Sequence, residues 1–171
     1  MTKKGSIKLG TPLAQDWSLC PKIDIVVVGS VAVTTSGKRL GKGLGFAEIE
    51  WAILYEFGVV NQSTLVITTV HENQIVSEEN FGPELQENHD LPVDIIVTPR
   101  RIINVRPKMA KPSVGILWDQ VEKNSHLKNL PILKLLETSK SEKIEKSPQE
   151  VKIRPKSRIK VSKQKKSDEK K

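Results

Sequence analysis

The sequence predicts an α/β domain built on a parallel or mixed sheet with flanking helices. Three observations carry that expectation. Ile23-Asp24-Ile25-Val26-Val27-Val28 is a short, β-branched and nearly continuous apolar run, as in a strand buried on both faces of a parallel sheet. From Phe46 to Phe57 the pattern turns helical, and Leu65–Val70 (LVITTV) is a second strand close behind it. Strand, helix and strand joined by short links form a βαβ unit.

Residues 1–22 are polar and interrupted by Pro12 and Pro21, and read as an irregular lead-in. The first strand is expected to be central and to end at Gly29. A loop dense in glycine and charge, Thr34 to Gly45, follows it. In the helix, Ile49, Ala52, Ile53 and Phe57 share one face, Trp51, Leu54 and Tyr55 widen it, and Gly58 is placed to stop it. His71 to Asp90 is polar and acidic, a loop with a helical turn near Glu84–Asn88. Three more strands are expected at Val93–Val97, Arg101–Val105 and Val114–Trp118. Ser125–Glu137 reads as an amphipathic helix that Pro131 kinks or restarts. Residues 139–171 hold no aromatic residue and are dominated by Lys, Ser and Glu, which predicts a disordered tail. The chain thus divides into a lead-in (1–22), a domain (23–138) and a basic tail (139–171).

Charge is spread unevenly. Residues 1–119 carry 12 Lys+Arg against 13 Asp+Glu, a net of −1, whereas residues 120–171 carry 16 against 7, a net of +9. The net charge of +8 therefore belongs to the C-terminal end, and whole-chain charge says nothing about the domain. Cys20 is the only cysteine, so neither an intramolecular disulfide nor a multi-cysteine metal cluster is open to this chain. No signal-peptide core opens the sequence, and apolar runs such as Ile25–Val28 are far too short for a bilayer. A cytoplasmic protein without a membrane partner is expected. Lys163-Gln164-Lys165-Lys166, which has the composition of a nuclear localisation signal, keeps the nucleus open.

Gly41-Lys42-Gly43-Leu44-Gly45 is the chemically loaded feature. Alternating glycines let the backbone bend so that N–H groups converge, and the following helix start adds partial positive charge. Arg39 and Lys42 supply full charges beside those donors, and Phe46 opens the helix. That set suits a phosphate or another oxyanion. The spacing is neither the dinucleotide fingerprint GxGxxG nor a P-loop. The alternative is a strand-to-helix turn whose basic residues are merely solvated.

With its flanks, VVVGSVAVTTSGKRLGKGLGFAEIEWA resembles the nucleotide-binding segment of the 5-formyltetrahydrofolate cyclo-ligase (methenyltetrahydrofolate synthetase) family, whose motif is GxRLGxGxGYYD-like. Gly37, Arg39, Leu40, Gly41, Gly43 and Gly45 match it, and Phe46 stands for the first Tyr. NHDLPVDIIVTP resembles a later family segment at His89, Asp90, Val93, Asp94 and Thr98. The likeness is closer to the family's non-enzyme-like members, through VVVGSVAV, TPRRII and the KP-GI-W run, and spans roughly residues 22–137. It implies a ribose-5-phosphate isomerase-like fold, ATP with Mg²⁺ as ligand of the loop at Arg39, Gly41, Lys42, Gly43, Gly45 and Phe46, and RNA binding by analogy with fuller members that carry an RNA-recognition domain.

Departures point away from catalysis. The enzymes' motif ends in Tyr-Asp, and that Asp helps hold the Mg-nucleotide; this chain has Ala47-Glu48. Glu48 is therefore the candidate metal ligand, set against the plainer reading that a first-turn glutamate complements the helix dipole. Val33-Thr34 replaces a Phe-Asp pair. The family's N-terminal half, which reaches the ATP phosphates and builds most of the folate pocket, is expected to be missing, which would make the domain incomplete on its N-terminal side and leave apolar surface bare on one side of the sheet. His71, His89 and His126 share no metal-ligand spacing. Glu48 and Glu50 project to different sides of a helix and make no acid–base pair. The leading expectation is a non-catalytic member of this family with non-specific RNA binding through the tail lysines. The alternatives are an ATP-dependent cyclo-ligase completed by another chain, and an interaction module whose tail binds acidic partners.

Overall fold

The computed structural model describes residues 3–9, 17, 20–82, 85 and 87–145. They fall into two units, divided between Leu135 and Leu136. The first holds two sheets. Strands β1 (Ile25–Val28), β4 (Leu65–Thr69), β6 (Ile95–Val97) and β7 (Ile102–Asn104) form the larger, in the order β1-β4-β6-β7. β1, β4 and β6 run parallel, and β7 returns antiparallel after a tight turn. Strands β2 (Ala32–Thr34), β3 (Arg39–Leu40) and β5 (Ile75–Val76) form the smaller, in the order β3-β2-β5. Helices α1 (Lys3–Leu9), α2 (Phe46–Glu56), α3 (Trp118–Lys123) and α4 (Pro131–Glu145) complete the set. This is the mixed α/β architecture that the sequence predicts.

Several elements differ from expectation. β1 lies at the edge of the sheet, not its centre. Its apolar continuity suggested burial on both faces, yet Ile25 and Val27 are 52% and 65% exposed while Val28 is buried. The lead-in is not wholly irregular: α1 occupies Lys3–Leu9, and the Trp17 ring stacks on Phe57 at 4.2 Å. The loop after β1 contains β2 and β3, strands too short for any periodicity to mark. Val114–Leu117 forms no strand, and Trp118 starts α3 instead. Of the two fates expected at Pro131 the restart holds: residues 125–129 form turns and Pro131 opens a helix, its fixed φ and missing N–H suiting a first helical turn. α4 then runs on to Glu145, past the expected start of the tail, and residues 146–171 lie outside the described residues. The helical turn expected near Glu84–Asn88 lies partly outside them too.

The core explains which face of the larger sheet is covered. Val28, Val66 and Ile96 point to one side and are buried, with Trp51 of α2, Val33, Leu91, Val93 and Val105 packed among them. Both parallel steps, β1 to β4 and β4 to β6, advance in the same direction across the sheet. Parallel crossovers are right-handed, so two steps in one direction put both connections on one face. None of the side chains that alternate onto the opposite face is buried.

A charged pair holds the lower end of this sheet. Asp94 and Lys111 are 2% and 5% exposed, and their carboxylate and ammonium approach to 2.9 Å. Asp94 also accepts the Val66 N–H at 2.8 Å, and Lys111 donates to the Gln62 carbonyl at 3.3 Å. The pair staples the segment after β7 to the starts of β4 and β6.

Candidate functional site

The glycine loop, residues 41–45, joins β3 to α2 beside the C-terminal end of β1, where ligands sit in open α/β sheets. The turn feeding it is tight: Gly37 has φ 93°, and a Cβ there would lie 2.5 Å from the Val93 carbonyl oxygen. Gly43 and Gly45 both adopt φ 74°. A cleft of about 460 Å³ opens over the loop, lined by Gly29–Val31, Arg39–Glu48, Leu85, His89, Asp90 and Asn124. A smaller, mainly apolar cavity of about 90 Å³ adjoins it and shares Gly45, Glu48, His89 and Asn124.

The expected loop residues do different jobs. Gly45 is the N-cap of α2, and no side chain caps that end. The first amides of α2 therefore keep the donor capacity that a helix start offers to an anion. Lys42 and Gly43 are exposed, and a Cβ on Gly43 would meet nothing within 4 Å. Phe46 is 37% exposed and lends the cleft an aromatic wall.

Arg39 is not one of the solvent-facing cations that the sequence suggested. It is 7% exposed; its Nε donates to the Leu91 carbonyl at 3.1 Å, Nη1 to the Gly29 carbonyl at 3.0 Å, and Nη2 to Glu48. Gly41 is small for its sake, since a Cβ there would stand 3.0 Å from Nη1. Arg39 thus braces the loop from beneath. Glu48, the expected metal candidate, is the carboxylate that neutralises it. The other carboxylate lining the cleft, Asp90, accepts the Glu87 N–H at 2.7 Å. Among the described residues, no group of three or more His, Cys, Asp or Glu side chains could hold a metal ion. The helix-start amides and Lys42 fit a phosphate, and the two carboxylates that line the cleft, Glu48 and Asp90, each already hold one protein partner.

Neighbouring groups fix the cleft's walls. The Ser30 and Thr68 hydroxyls are 2.7 Å apart, and Gln74 donates to the carbonyls of Ser30 and Val31 at 3.0 and 3.1 Å. Asn124 at the end of α3 donates to the Leu44 carbonyl at 3.3 Å, and Leu127 lies against Gly45. His89 Nδ1 stands 3.3 Å from a Glu87 carboxylate oxygen. Glu50, farther along α2, is held above the ordinary carboxylate range by partial burial and then by the negative charge of Glu48. Sequence reasoning did not assign Ser30, Asn124 or His89 to the cleft. Ser30 and His89 lie in the two family-like segments, whereas Asn124 carried no signal.

With this geometry in place, the sequence matches the 5-formyltetrahydrofolate cyclo-ligase family over residues 2–99, more than half of the chain. The chain belongs to that family. The match begins inside the stretch expected to be a lead-in. The methenyltetrahydrofolate synthase domain-containing protein of Danio rerio is 43% identical over 141 residues, covering 82% of this chain and 35% of that protein. Those of Bos taurus and Homo sapiens are 41% and 39% identical over 135 residues, covering 79% of this chain and 34% and 33% of their own lengths. The chain spans about a third of the curated relatives it matches.

Proposed function

We propose that this chain is a non-catalytic member of the cyclo-ligase family that keeps an oxyanion site, able to take the phosphates of a nucleotide, in the glycine-loop cleft. The uncapped start of α2 carries the reading: first-turn amides, Lys42 and the open space over Gly43 converge on one cavity. The loss of chemistry is supported by the pairing of Glu48 with Arg39 and by Ala47 where the enzymes' motif has a ring. Holding two substrates in near-attack geometry contributes about 7–11 kcal/mol of barrier lowering, and positioning of that quality needs ligating groups that are free. Titrating ATP into the purified protein by calorimetry, with and without Mg²⁺, tests the site. Binding should be weak, independent of Mg²⁺ and lost in Gly43→Val. Turnover of 5-formyltetrahydrofolate above background that vanishes in Gly43→Val would overturn the non-catalytic reading.

The lysine surplus of residues 120–171 supports a second, separable activity, non-specific RNA binding. It should fall steeply with salt through counterion release, survive Gly43→Val and disappear when residues 146–171 are removed. Salt-insensitive, sequence-selective binding by the shortened chain would place RNA recognition on the folded domain instead.

A further inference from the structure

The cleft wall at the C-terminal end of β1 carries an inference that rests on the oxyanion reading and extends it to the rest of the ligand. Residues 29–31 form that wall. Distant side chains hold it: Arg39 Nη1 donates to the Gly29 carbonyl at 3.0 Å, and Gln74 Nε2 to the carbonyls of Ser30 and Val31 at 3.0 and 3.1 Å. The Gln74 amide is fixed in that sense, because its oxygen accepts the His71 N–H at 2.8 Å. Counting protons then shows what the half-buried Ser30 hydroxyl offers the cleft. Thr68, fully buried, gives its one O–H proton to the Val28 carbonyl at 2.9 Å. Its oxygen, 2.7 Å from Ser30 Oγ, can therefore only accept, so the Ser30 proton points at Thr68. Ser30 Oγ is left with acceptor lone pairs and, among the described residues, no donor that fills them.

We infer that Ser30 is a specificity-determining residue of the cleft, its Oγ accepting a hydrogen bond from an O–H or N–H that the ligand carries beyond its phosphates: a ribose hydroxyl or a base amino group. An ionised phosphate offers acceptors. It suits the α2 amides and Lys42, but it would meet Ser30 lone pair against lone pair. The cleft, about 460 Å³, has the volume of a small-molecule site rather than of one phosphate group. Donors on the glycine loop and an acceptor at the end of β1 thus favour a molecule with one anionic end and one donor-bearing end. A nucleotide has both, whereas a bare polyphosphate has only the first.

Calorimetric titration of the full chain and of Ser30→Ala tests this with four probes: ATP, tripolyphosphate, 2′,3′-dideoxy-ATP and purine riboside triphosphate, which lacks the base amino group. A retained cooperative melt confirms that the variant folds. Ser30→Ala should weaken ATP by about three- to tenfold, the range of one hydrogen bond, and leave tripolyphosphate unchanged. One of the two analogues should bind the unaltered chain more weakly than ATP by the same factor and be indifferent to Ser30→Ala, which identifies the donor as ribose hydroxyl or base amino group. Equal weakening of ATP and tripolyphosphate would make Ser30 a support of the wall and overturn the assignment. So would an ATP affinity indifferent to Ser30→Ala, or both analogues weakened by the variant as ATP is; in those cases the oxyanion site stands without it. A chain that binds neither ATP nor tripolyphosphate removes the oxyanion site and this assignment together.

Discussion

Changing Glu48 to Gln separates its two candidate roles, a metal ligand or the counter-charge for Arg39. Glutamine keeps the length and one acceptor oxygen but removes the charge. Arg39 has a side chain only 3% exposed and would retain its bonds to the Leu91 and Gly29 carbonyls. Breaking a fully buried pair costs about 3–5 kcal/mol. Glu48 is 18% exposed, and two of the three groups bonded to the guanidinium survive, which lowers the expected loss to about 2–3 kcal/mol. For a domain of this size that is a fall in Tm of roughly 4–12 °C. Differential scanning calorimetry of the full chain measures it, and ATP titration measures the second consequence. With the anion-side negative charge gone, ATP should bind at least as tightly as before, with or without Mg²⁺. An unchanged Tm together with a loss of Mg²⁺-dependent nucleotide binding would refute the brace and return Glu48 to metal ligation.

Four further outcomes follow from the same structure. Asp94→Asn strands the Lys111 ammonium, 2% exposed at its side chain, and should cost about 3–5 kcal/mol in urea unfolding, while Asp94→Leu combined with Lys111→Met should recover much of that loss. Ala at Gly45 should cost more than Ala at Gly43: both incur about 1–2 kcal/mol for a left-handed backbone, but only the Gly45 Cβ meets Leu127, at 3.2 Å. Equal losses in chemical unfolding would contradict that difference. Hydrogen bonds, chiefly from Thr98 to Glu72 and from Ser36 to Glu78, hold both carboxyls below the ordinary glutamate value of 4.5. Their contribution is complete above that value and is lost as pH falls through the lowered one, so Tm should be level from neutrality to mild acid and drop below about pH 4.5. Glu50 has the opposite sign: its raised carboxyl destabilises the fold when charged, so Glu50→Gln should raise Tm slightly at neutral pH and not at all in acid.

The βαβ unit was legible because each part writes its period into the chain. α2 and β4 appear within a residue or two of their expected limits. Strand order was not legible. An apolar run such as Ile25–Val28 states that both sides are apolar, not that both are covered, and its neighbours are fixed by pairing with residues some forty positions away. β2, β3 and β5 are two or three residues long and exist through mutual pairing, which leaves no local trace. At the site, glycine spacing announced the loop. The fate of Arg39 was hidden, because its carbonyl partner at Leu91 is 52 residues distant and a buried arginine reads in sequence like an exposed one. Asn124, 80 residues from Leu44, carried no signal either.

The three alternating glycines also bear on what such a motif records about ancestry. A side chain at Gly41 would press on the guanidinium beneath it and one at Gly45 on the leucine beside it, whether or not a ligand ever enters. Gly43 answers only to its own backbone angle and to whatever fills the cleft. A lineage that abandoned its ligand would hold the first and third glycines unchanged and let the second drift to asparagine, which tolerates that angle. Survival of the spacing is thus a fossil of the fold, and the middle position is the one that still reports on use.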